Sequence, residues 1–387
     1  MGIRLGKICR FQSGGTPAKS NPEYFNGTIP WITTVSLNGA KICEDDAVEW
    51  ITEKAIKESA AKIVPAYSIM VGTRVGVGKV AVNTVPMSTS QDIISLLEID
   101  ETKWHKDFLC NFIQGKSAFL NSQARGATIK GIKIDVLSNL TLPDVTIEEQ
   151  IHISQVIDNV RSIIFDRQQE LEKLDELIKA RFVEMFGDPL NGTDKWPLHT
   201  VGDVALSVDP QPSHRTPPVD EEGIPYVSIK DCDCKTGKID FDNARKVSRA
   251  VLEEHRSRYM IHDGDFIIGK IGTIGNPIFV PARDEYTLSA NIVLIQPNRS
   301  MVSPYFLKYS FMSAYTERQF EEAKNSTSQA AFGIQKVRQI SVMNPDLAEQ
   351  YKFEKFAKQV DKSKVVVQKA LNEAQLLFDS LMQQYFG

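Results

Sequence analysis

Two stretches decide the architecture. TIEEQIHISQVIDNVRSIIFDRQQELEKLDELIKARFVEMFG runs from Thr146 to Gly187, and DLAEQYKFEKFAKQVDKSKVVVQKALNEAQLLFDSLMQQYFG runs from Asp346 to Gly387. Each follows a proline (Pro143, Pro345), carries Glu-Gln near its start (Glu149-Gln150, Glu349-Gln350) and ends on Phe-Gly. The Gln-to-Phe interval is 36 residues in both, 186 − 150 and 386 − 350. Thr146-Ile-Glu-Glu149 fits a helix capping box, and Asp346-Leu-Ala-Glu349 offers the same box with an Asp cap. Positions 153, 157, 160, 164, 167, 171, 174, 178, 181 and 185 alternate four-three and hold Ile, Ile, Val, Ile, Arg, Leu, Leu, Ile, Arg and Met. The same positions plus 200 hold Phe, Ala, Val, Lys, Val, Leu, Ala, Phe, Leu and Tyr. Both are sustained heptad seams, so the two rods are expected to be helices about 54 Å long that pack on each other as a coiled coil. Arg167, Arg181 and Lys364 interrupt the seam. Their stems pack while their heads reach water, or they set the register; both readings stand.

Outward from the rods, the rest of the chain repeats too. GTIPWITTVSLNGAKI (from Gly27) is echoed by GIPYVSIKDCDCKTGKI (from Gly223), IMVGTRVGVGKVAV (from Ile69) by FIIGKIGTIGNPIFV (from Phe266), and STSQDIISLL (from Ser88) by YTLSANIVLI (from Tyr286). A Gly-Ile pair lies 12 residues before each proline, at Gly131 and Gly333. The order is globular unit, rod, globular unit, rod: residues 1–145, 146–187, 188–346 and 347–387. β-branched runs bounded by Gly, Pro or Ser (IPWI, SIMV, KVAV, DIISLLEI and their echoes) predict strands, with short helices at Thr52–Ala61 and Pro304–Glu322. The fold expected is α+β: two similar mixed α/β units at opposite ends of an antiparallel two-helix coiled coil, with pseudo-two-fold symmetry. Parallel rods would require the second unit to carry the chain back along the whole rod, so connectivity favours the antiparallel pair.

Composition excludes several classes. At 387 residues, 42% hydrophobic and 24% charged, the chain is neither disordered nor collagen-like. It has no run of about 18 apolar residues and no apolar leader at its amino terminus, so no membrane association and a cytoplasmic location are expected. Five scattered cysteines suit reduced thiols; Cys232 and Cys234 form a C-x-C without a second pair at zinc spacing.

A search for catalytic motifs finds none that holds. Gly76-Val-Gly78-Lys79-Val80-Ala81 matches G-x-G-x-x-A, but its surroundings read as strands, which predicts a hairpin turn. P-loop, HExxH and G-x-S-x-G motifs are missing. An Asn/Asp-Pro-Pro-aromatic loop of an amino-methyltransferase is missing as well. These readings favour a protein that is not an enzyme, with no cofactor and no metal in this chain.

What remains is two similar heads on a rod, an object suited to a partner with two separated, two-fold related contact points, such as duplex DNA. The net charge of −4 resolves into heads of +2 and −2 (16 basic and 14 acidic residues in 1–145; 18 and 20 in 191–346), with the excess acid in the first rod. Basic and small polar residues collect in loops where glycine lets backbone N–H groups approach phosphates. In the first head these are Gly15, Thr16 and Lys19; Thr73, Arg74 and Lys79; and Arg125 and Lys130. In the second they are Arg215 beside His214; Lys270, Thr273 and Asn276; and Ser328 and Gln329. Turns favour such residues anyway, so each loop also reads as a solvated turn.

The Gly14-Gly15-Thr16-Pro17 loop, the IPWI/IPYV strand that follows, the glycine-rich turn and the Pro…Glu-Gln…Phe-Gly helices resemble the target-recognition domains and spacer helices of type I restriction–modification specificity subunits. The resemblance covers nearly the whole chain and includes the repeat order. It implies a non-catalytic subunit that binds double-stranded DNA with a split target, one half per recognition domain, while the helices set the unread spacer. It further implies docking of two methyltransferase subunits on the helices and recruitment of restriction subunits, with S-adenosylmethionine, ATP and Mg held by those partners. The chain starts at the first recognition domain, so the second helix is expected to finish near the amino terminus. Two alternatives remain at this point: a specificity subunit of another restriction–modification class, and a coiled-coil scaffold that does not touch DNA. A standalone methyltransferase is a third.

Overall fold

The protein is described here by a computed structural model covering residues 2–38, 41–126, 130–191, 195–233, 236–270, 276–283, 285–325 and 333–387. The chain divides into two compact units: Met1–Gln168 with Lys369–Gly387, and Gln169–Gln368. Each unit therefore takes one segment from each long helix.

The first unit holds strands β1 (Arg10–Ser13), β2 (Phe25–Ile32), β3 (Lys41–Ile42) and β4 (Glu49–Ile51), then helix α1 (Glu53–Glu58) and strands β5 (Ile63–Val64), β6 (Ile69–Gly72), β7 (Val80–Asn83), β8 (Met87–Thr89) and β9 (Ile93–Leu97). Helices α2 (Lys106–Gly115), α3 (Ser117–Gln123) and α4 (Ile134–Ser138) lead into the long α5 (Ile147–Phe186). One sheet has the order β1-β9-β6-β7-β3 and the other β4-β2-β8-β5.

The second unit follows with β10 (Leu198–Thr200), α6 (Val201–Val204), β11 (Ala205–Val208), β12 (Ile224–Val227), β13 (Lys246–Val247) and α7 (Arg249–Arg256). After these come β14 (Phe266–Gly269), β15 (Ile278–Phe279), β16 (Thr287–Leu288), β17 (Ile292–Pro297), α8 (Pro304–Phe311), α9 (Ala314–Asn325), α10 (Ile334–Gln339), β18 (Ser341–Met343) and the long α11 (Leu347–Phe386). Its sheets have the orders β11-β17-β14-β15, β13-β12-β16 and β10-β18.

The three sequence echoes become register-equivalent strands. Gly72 faces Ile93 in β6/β9 as Gly269 faces Ile292 in β14/β17. Trp31 faces Ser88 in the parallel pair β2/β8 as Tyr226 faces Thr287 in β12/β16. A one-residue slip would turn every buried side chain outward, so shared register means shared cores. β6, β7, β8 and β9 are buried on both faces, which explains why they read as continuous apolar runs rather than alternating ones. Gly76 and Gly78 take φ of +73° and +83° in the turn joining antiparallel β6 and β7, the hairpin expected there. The stretch expected as one helix from Pro304 to Glu322 is two, α8 and α9, broken at Met312-Ser313.

The long helices run antiparallel. In the second unit Asp175 meets Lys364, Arg181 lies over Phe356, and Phe186 packs on Phe353. In the first, Arg161 lies over Phe378. Thr146 and Glu149 form the expected reciprocal cap, at 2.8 and 3.3 Å. At Asp346 the Glu349 N–H instead meets the backbone carbonyl, at 2.9 Å.

Both ends of each long helix are pinned by buried side chains. The Gln150 carboxamide accepts from His105 N at 3.0 Å and donates to the Lys103 and Val145 carbonyls. Gln350 likewise accepts from Ser303 N at 2.7 Å and donates to Pro345 O, Asn344 Oδ1 and Met301 O. At the other ends, Phe386 packs edge-on against Phe108 and Phe112 in the first unit, and Phe186 against Phe306 in the second. Each unit thus holds the Gln of one helix and the Phe of the other. In both helices the two anchors stand 36 residues apart. Among the described residues no helix is long and apolar enough to cross a membrane.

Candidate nucleic-acid interface

In the first unit four loops converge at one end of the larger sheet, where β1 and β6 finish and β9 begins. The β8–β9 connection ties them together. Gly14 and Gly15 donate to the carbonyls of Ile93 and Thr89, and Gln91 N donates to Thr16 Oγ1 at 3.4 Å. Thr73 sends both its N–H and its hydroxyl to Asp92 O, at 2.8 and 3.1 Å. Arg74 Nη1 lies 3.5 Å from an Asp92 carboxylate oxygen. Ile132 N donates to Thr73 O, and Arg125 and Gly131 exchange two backbone hydrogen bonds. Gly131 must remain small here, since a Cβ would stand 2.8 Å from Arg74 Cγ.

This places Arg74, Arg125 and Lys130, all exposed, around one anchored framework, with exposed Lys79 on the hairpin of Arg74. Such an array of cations on short, braced loops suits contacts to phosphates or to guanine edges. Thr73 is buried and braces the loop rather than reaching out of it. Gly15 is buried as well, while Thr16 stays exposed. Lys19 is exposed and turned toward Glu49, at 3.4 Å.

The second unit repeats the framework with different side chains. Lys270 N donates to Asn291 O at 2.8 Å, the counterpart of Thr73 N to Asp92 O. The Lys270 side chain is buried, and its ammonium lies 2.8 Å from Asp209. It therefore holds the start of the 209–217 loop and does not present its charge to solvent. Arg215 and Asn276 are exposed. Thr273, Ser328 and Gln329 lie outside the described residues, as does Cys234. Cys232 Sγ donates to Ser228 O at 3.6 Å.

Several framework residues were not foreseen from sequence: Asp92, Asp209, Gln211 and His255. An isolated acid or amide carries no sequence signal of its own. Only the register that sets Asp92 and Asn291 opposite the Thr73 and Lys270 loops identifies them.

Unit for unit, then, this is a tandem-repeat protein: two strand frameworks of one register, each bracing its own set of loops and each holding a segment of both long helices. The chain belongs to the family described as the type I restriction modification DNA specificity domain, which matches residues 2–175 and 222–375. It is 29% identical over 188 residues to the MjaIX specificity subunit of Methanocaldococcus jannaschii, covering 48% of this chain and 43% of that one. It is 26% identical over 189 residues to the EcoR124I/EcoR124II specificity subunit of Escherichia coli, covering 46% and 45%. The matches thus span less than half the length of these curated relatives. In structure it is similar to the S subunit of a type I restriction–modification system from M. genitalium, with a TM-score of 0.57, 13% identity and coverage of 100% of this chain and 96% of that one. It is also similar to a chain solved in work on complex assembly and conformational transition of a type I system, with a TM-score of 0.60, 14% identity and coverage of 100% and 97%. At such identities these two likenesses speak for the fold.

Proposed function

We propose that this chain is the DNA specificity subunit of a type I restriction–modification enzyme. It reads a split duplex target with two recognition domains, residues 1–145 and 188–346, and carries no catalytic activity itself. The observation that carries the reading is the pair of register-identical frameworks bracing different loops, in a chain of the DNA specificity family. In the first head Arg74, Lys79, Arg125 and Lys130 contact one half-site. In the second Arg215 and Asn276 contact the other, with Thr273, Ser328 and Gln329 as further candidates. Heads so near neutral grip DNA weakly by charge alone, so partners supply much of the phosphate contact.

The long helices, residues 146–187 and 347–387, act as spacers and dock two methyltransferase subunits. Large apolar side chains stand exposed at positions repeated 200 residues apart: Ile151 and Tyr351, Phe165 and Val365, Leu177 and Leu377. A surface presented twice suits two copies of one partner. S-adenosylmethionine, ATP and Mg belong to the partners, restriction subunits join the larger assembly, and the complex works in the cytoplasm. Methylome sequencing of a host with and without this gene tests the proposal. A bipartite methylated motif that vanishes on deletion is the expected result, and an unchanged methylome refutes it.

A further inference from the structure

The second unit contains a buried polar chain that the DNA-facing residues do not account for. His255, on α7, is 1% exposed and hydrogen-bonded at both ring nitrogens: Nε2 lies 2.5 Å from Gln211 Oε1 and Nδ1 lies 2.6 Å from Thr287 Oγ1. The Gln211 amide nitrogen in turn lies 3.1 Å from Arg215 O and 2.8 Å from Ser213 Oγ. The Tyr259 hydroxyl lies 3.1 Å from Thr287 Oγ1.

The donors can be ordered from one end. A carbonyl only accepts, so Gln211 Nε2 donates to Arg215 O and Gln211 Oε1 is the acceptor for His255. His255 Nε2 therefore carries the hydrogen, Nδ1 accepts from the Thr287 hydroxyl, and Thr287 accepts from Tyr259 O–H. Burial, reinforced by nearby Arg258, holds the His255 pKa down at about 4, and burial pushes Tyr259 up to about 12. At neutral pH each group is thus in the protonation state the chain needs. The chain runs from strand β16, through helix α7, to the backbone of Arg215.

The first unit holds a loop carbonyl in another way. Ser13-Gly14-Gly15-Thr16-Pro17 and Ser213-His214-Arg215-Thr216-Pro217 share Ser, Thr and Pro, although strand register sets Ser13 level with Asp209, so the second loop is reached four residues later. Gly15 O is held by Trp31 Nε1 at 3.1 Å. A Cβ on Gly15 would fall 2.0 Å from Ala60 O, so no side chain fits there. In the second unit Tyr226 occupies the register of Trp31, and its hydroxyl accepts from Ala290 N. The carbonyl of Arg215 is held by Gln211, and the Arg215 side chain is exposed. The loop is pinned elsewhere as well, by Arg258 on Pro210 O, Arg245 on Pro217 O and Lys270 on Asp209. His214 keeps φ at +52°, a left-handed conformation uncommon for a non-glycine residue, within a turn closed by its own N–H on Gln211 O.

We propose that His255 is a positioning residue for target recognition: acting through Gln211, it fixes where Arg215 is presented to DNA and so sets specificity at one half of the target. The proposal rests on the reading that the second head binds DNA. It goes beyond that reading by assigning base preference there to a buried histidine that touches no DNA.

The test uses the full subunit expressed with its methyltransferase partner, with genome-wide readout of the methylated motif for wild type, Arg215→Ala, His255→Leu, His255→Gln and Gln211→Glu. His255→Leu and Gln211→Glu should relax the same base positions as Arg215→Ala, all in one half of the motif, with discrimination there falling about 10–100-fold. The other half should stay unchanged. His255→Gln retains an N–H for Gln211 and should keep the wild-type motif. Gln211→Glu preserves side-chain size while removing the donor to Arg215 O, so it carries the test if His255→Leu does not fold. An unchanged motif in Arg215→Ala, His255→Leu or Gln211→Glu overturns the proposal, as does equal weakening of both halves or a His255→Gln as relaxed as the leucine variant. Absence of any bipartite motif in the wild-type assembly overturns the DNA-specificity reading beneath it.

Discussion

Replacing Gln350 with leucine measures how firmly a long helix is anchored to its head. The residue is fully buried, and its carboxamide serves four partners: Ser303 N, Pro345 O, Asn344 Oδ1 and Met301 O. Leucine has nearly the same bulk and no polar atoms, so the substitution strands at least three buried main-chain groups. At about 1–3 kcal/mol for each of the three stranded groups, offset by about 1–2 kcal/mol for burying a more apolar side chain, the net loss is about 1–8 kcal/mol. Urea unfolding read by circular dichroism, with Trp196 emission reporting on the second unit, gives the midpoint and slope needed. Gln350→Glu separates the donor from the acceptor. Its carboxylate can still accept from Ser303 N but faces three oxygens, so its folded pKa lies above the unfolded one. Stability should then be closest to wild type in acid and fall as pH rises through that pKa. A leucine variant within about 1 kcal/mol of wild type, or a glutamate variant indifferent to pH, would falsify the anchoring account.

Three further outcomes are expected. Because the folded pKa of His255 is lowered from 6.5 to about 4, the neutral ring contributes stability above pH 6.5 that is lost as pH falls toward 4, about 3 kcal/mol in all; urea titrations of wild type and His255→Gln should diverge over that window, and parallel curves would count against it. The Asp175–Lys364 pair has Ile164 and Gln375 at the matching positions of the first unit, so a double-mutant cycle should give a coupling of roughly 0.5–1 kcal/mol and charge reversal of both residues should recover most of it; no coupling would reduce Lys364 to a snorkelling seam residue. Phe165→Glu and Val365→Glu should leave melting within about 0.5 kcal/mol of wild type, each removing one methyltransferase copy and the double variant both, as read by native mass spectrometry; retention of two copies by the double variant would place docking elsewhere.

Much of the architecture is legible from the sequence because it repeats. The seam positions Ile153, Ile157, Val160 and Ile178 are buried, as are Phe353, Ala357, Val360, Val367 and Ala374. The strand echoes also land in equivalent registers. The second buried stripe escapes a heptad reading. Phe182, Phe186, Met382 and Phe386 each sit one residue beyond a seam position, and they join the heads to the paired helices: Phe182 and Phe186 touch Phe353 of the partner helix as well as Phe306 of the head. Side-chain partners across the chain are less legible still. Lys308 on α8 is half-buried over the rings of Phe279 and Tyr309, and desolvation holds its pKa down, although nothing in PYFLKYSF distinguishes it from an exposed lysine. Lys270 reads as a solvent-facing cation in a glycine-rich loop until Asp209, 61 residues earlier, is placed against it. Local sequence encodes an element and its apolar face, but a buried charge depends on a partner brought by tertiary contact.

The differences between the two units are as ordered as their likenesses: one framework carries two sets of loop-bracing side chains. The main-chain brackets are the same, Thr73 N to Asp92 O and Lys270 N to Asn291 O, because sheet register fixes them. The side chains that complete each bracket are exchanged. A threonine hydroxyl gives way to a lysine ammonium; an indole N–H holds the Gly15 carbonyl in the first unit, and a glutamine backed by a histidine holds the Arg215 carbonyl in the second. The junctions with the long helices invert their charge as well: Asp158 pairs with Arg161 in the first unit, whereas Lys358 and Asp361 occupy those positions in the second. Strands buried on both faces admit few substitutions, since each would open a cavity or force the core apart. Loops held by a few hydrogen bonds at fixed main-chain points admit many, provided each carbonyl keeps a donor. What each loop requires is that its carbonyl be satisfied, Gly15 O by Trp31 and Arg215 O by Gln211, and not that one particular group satisfy it.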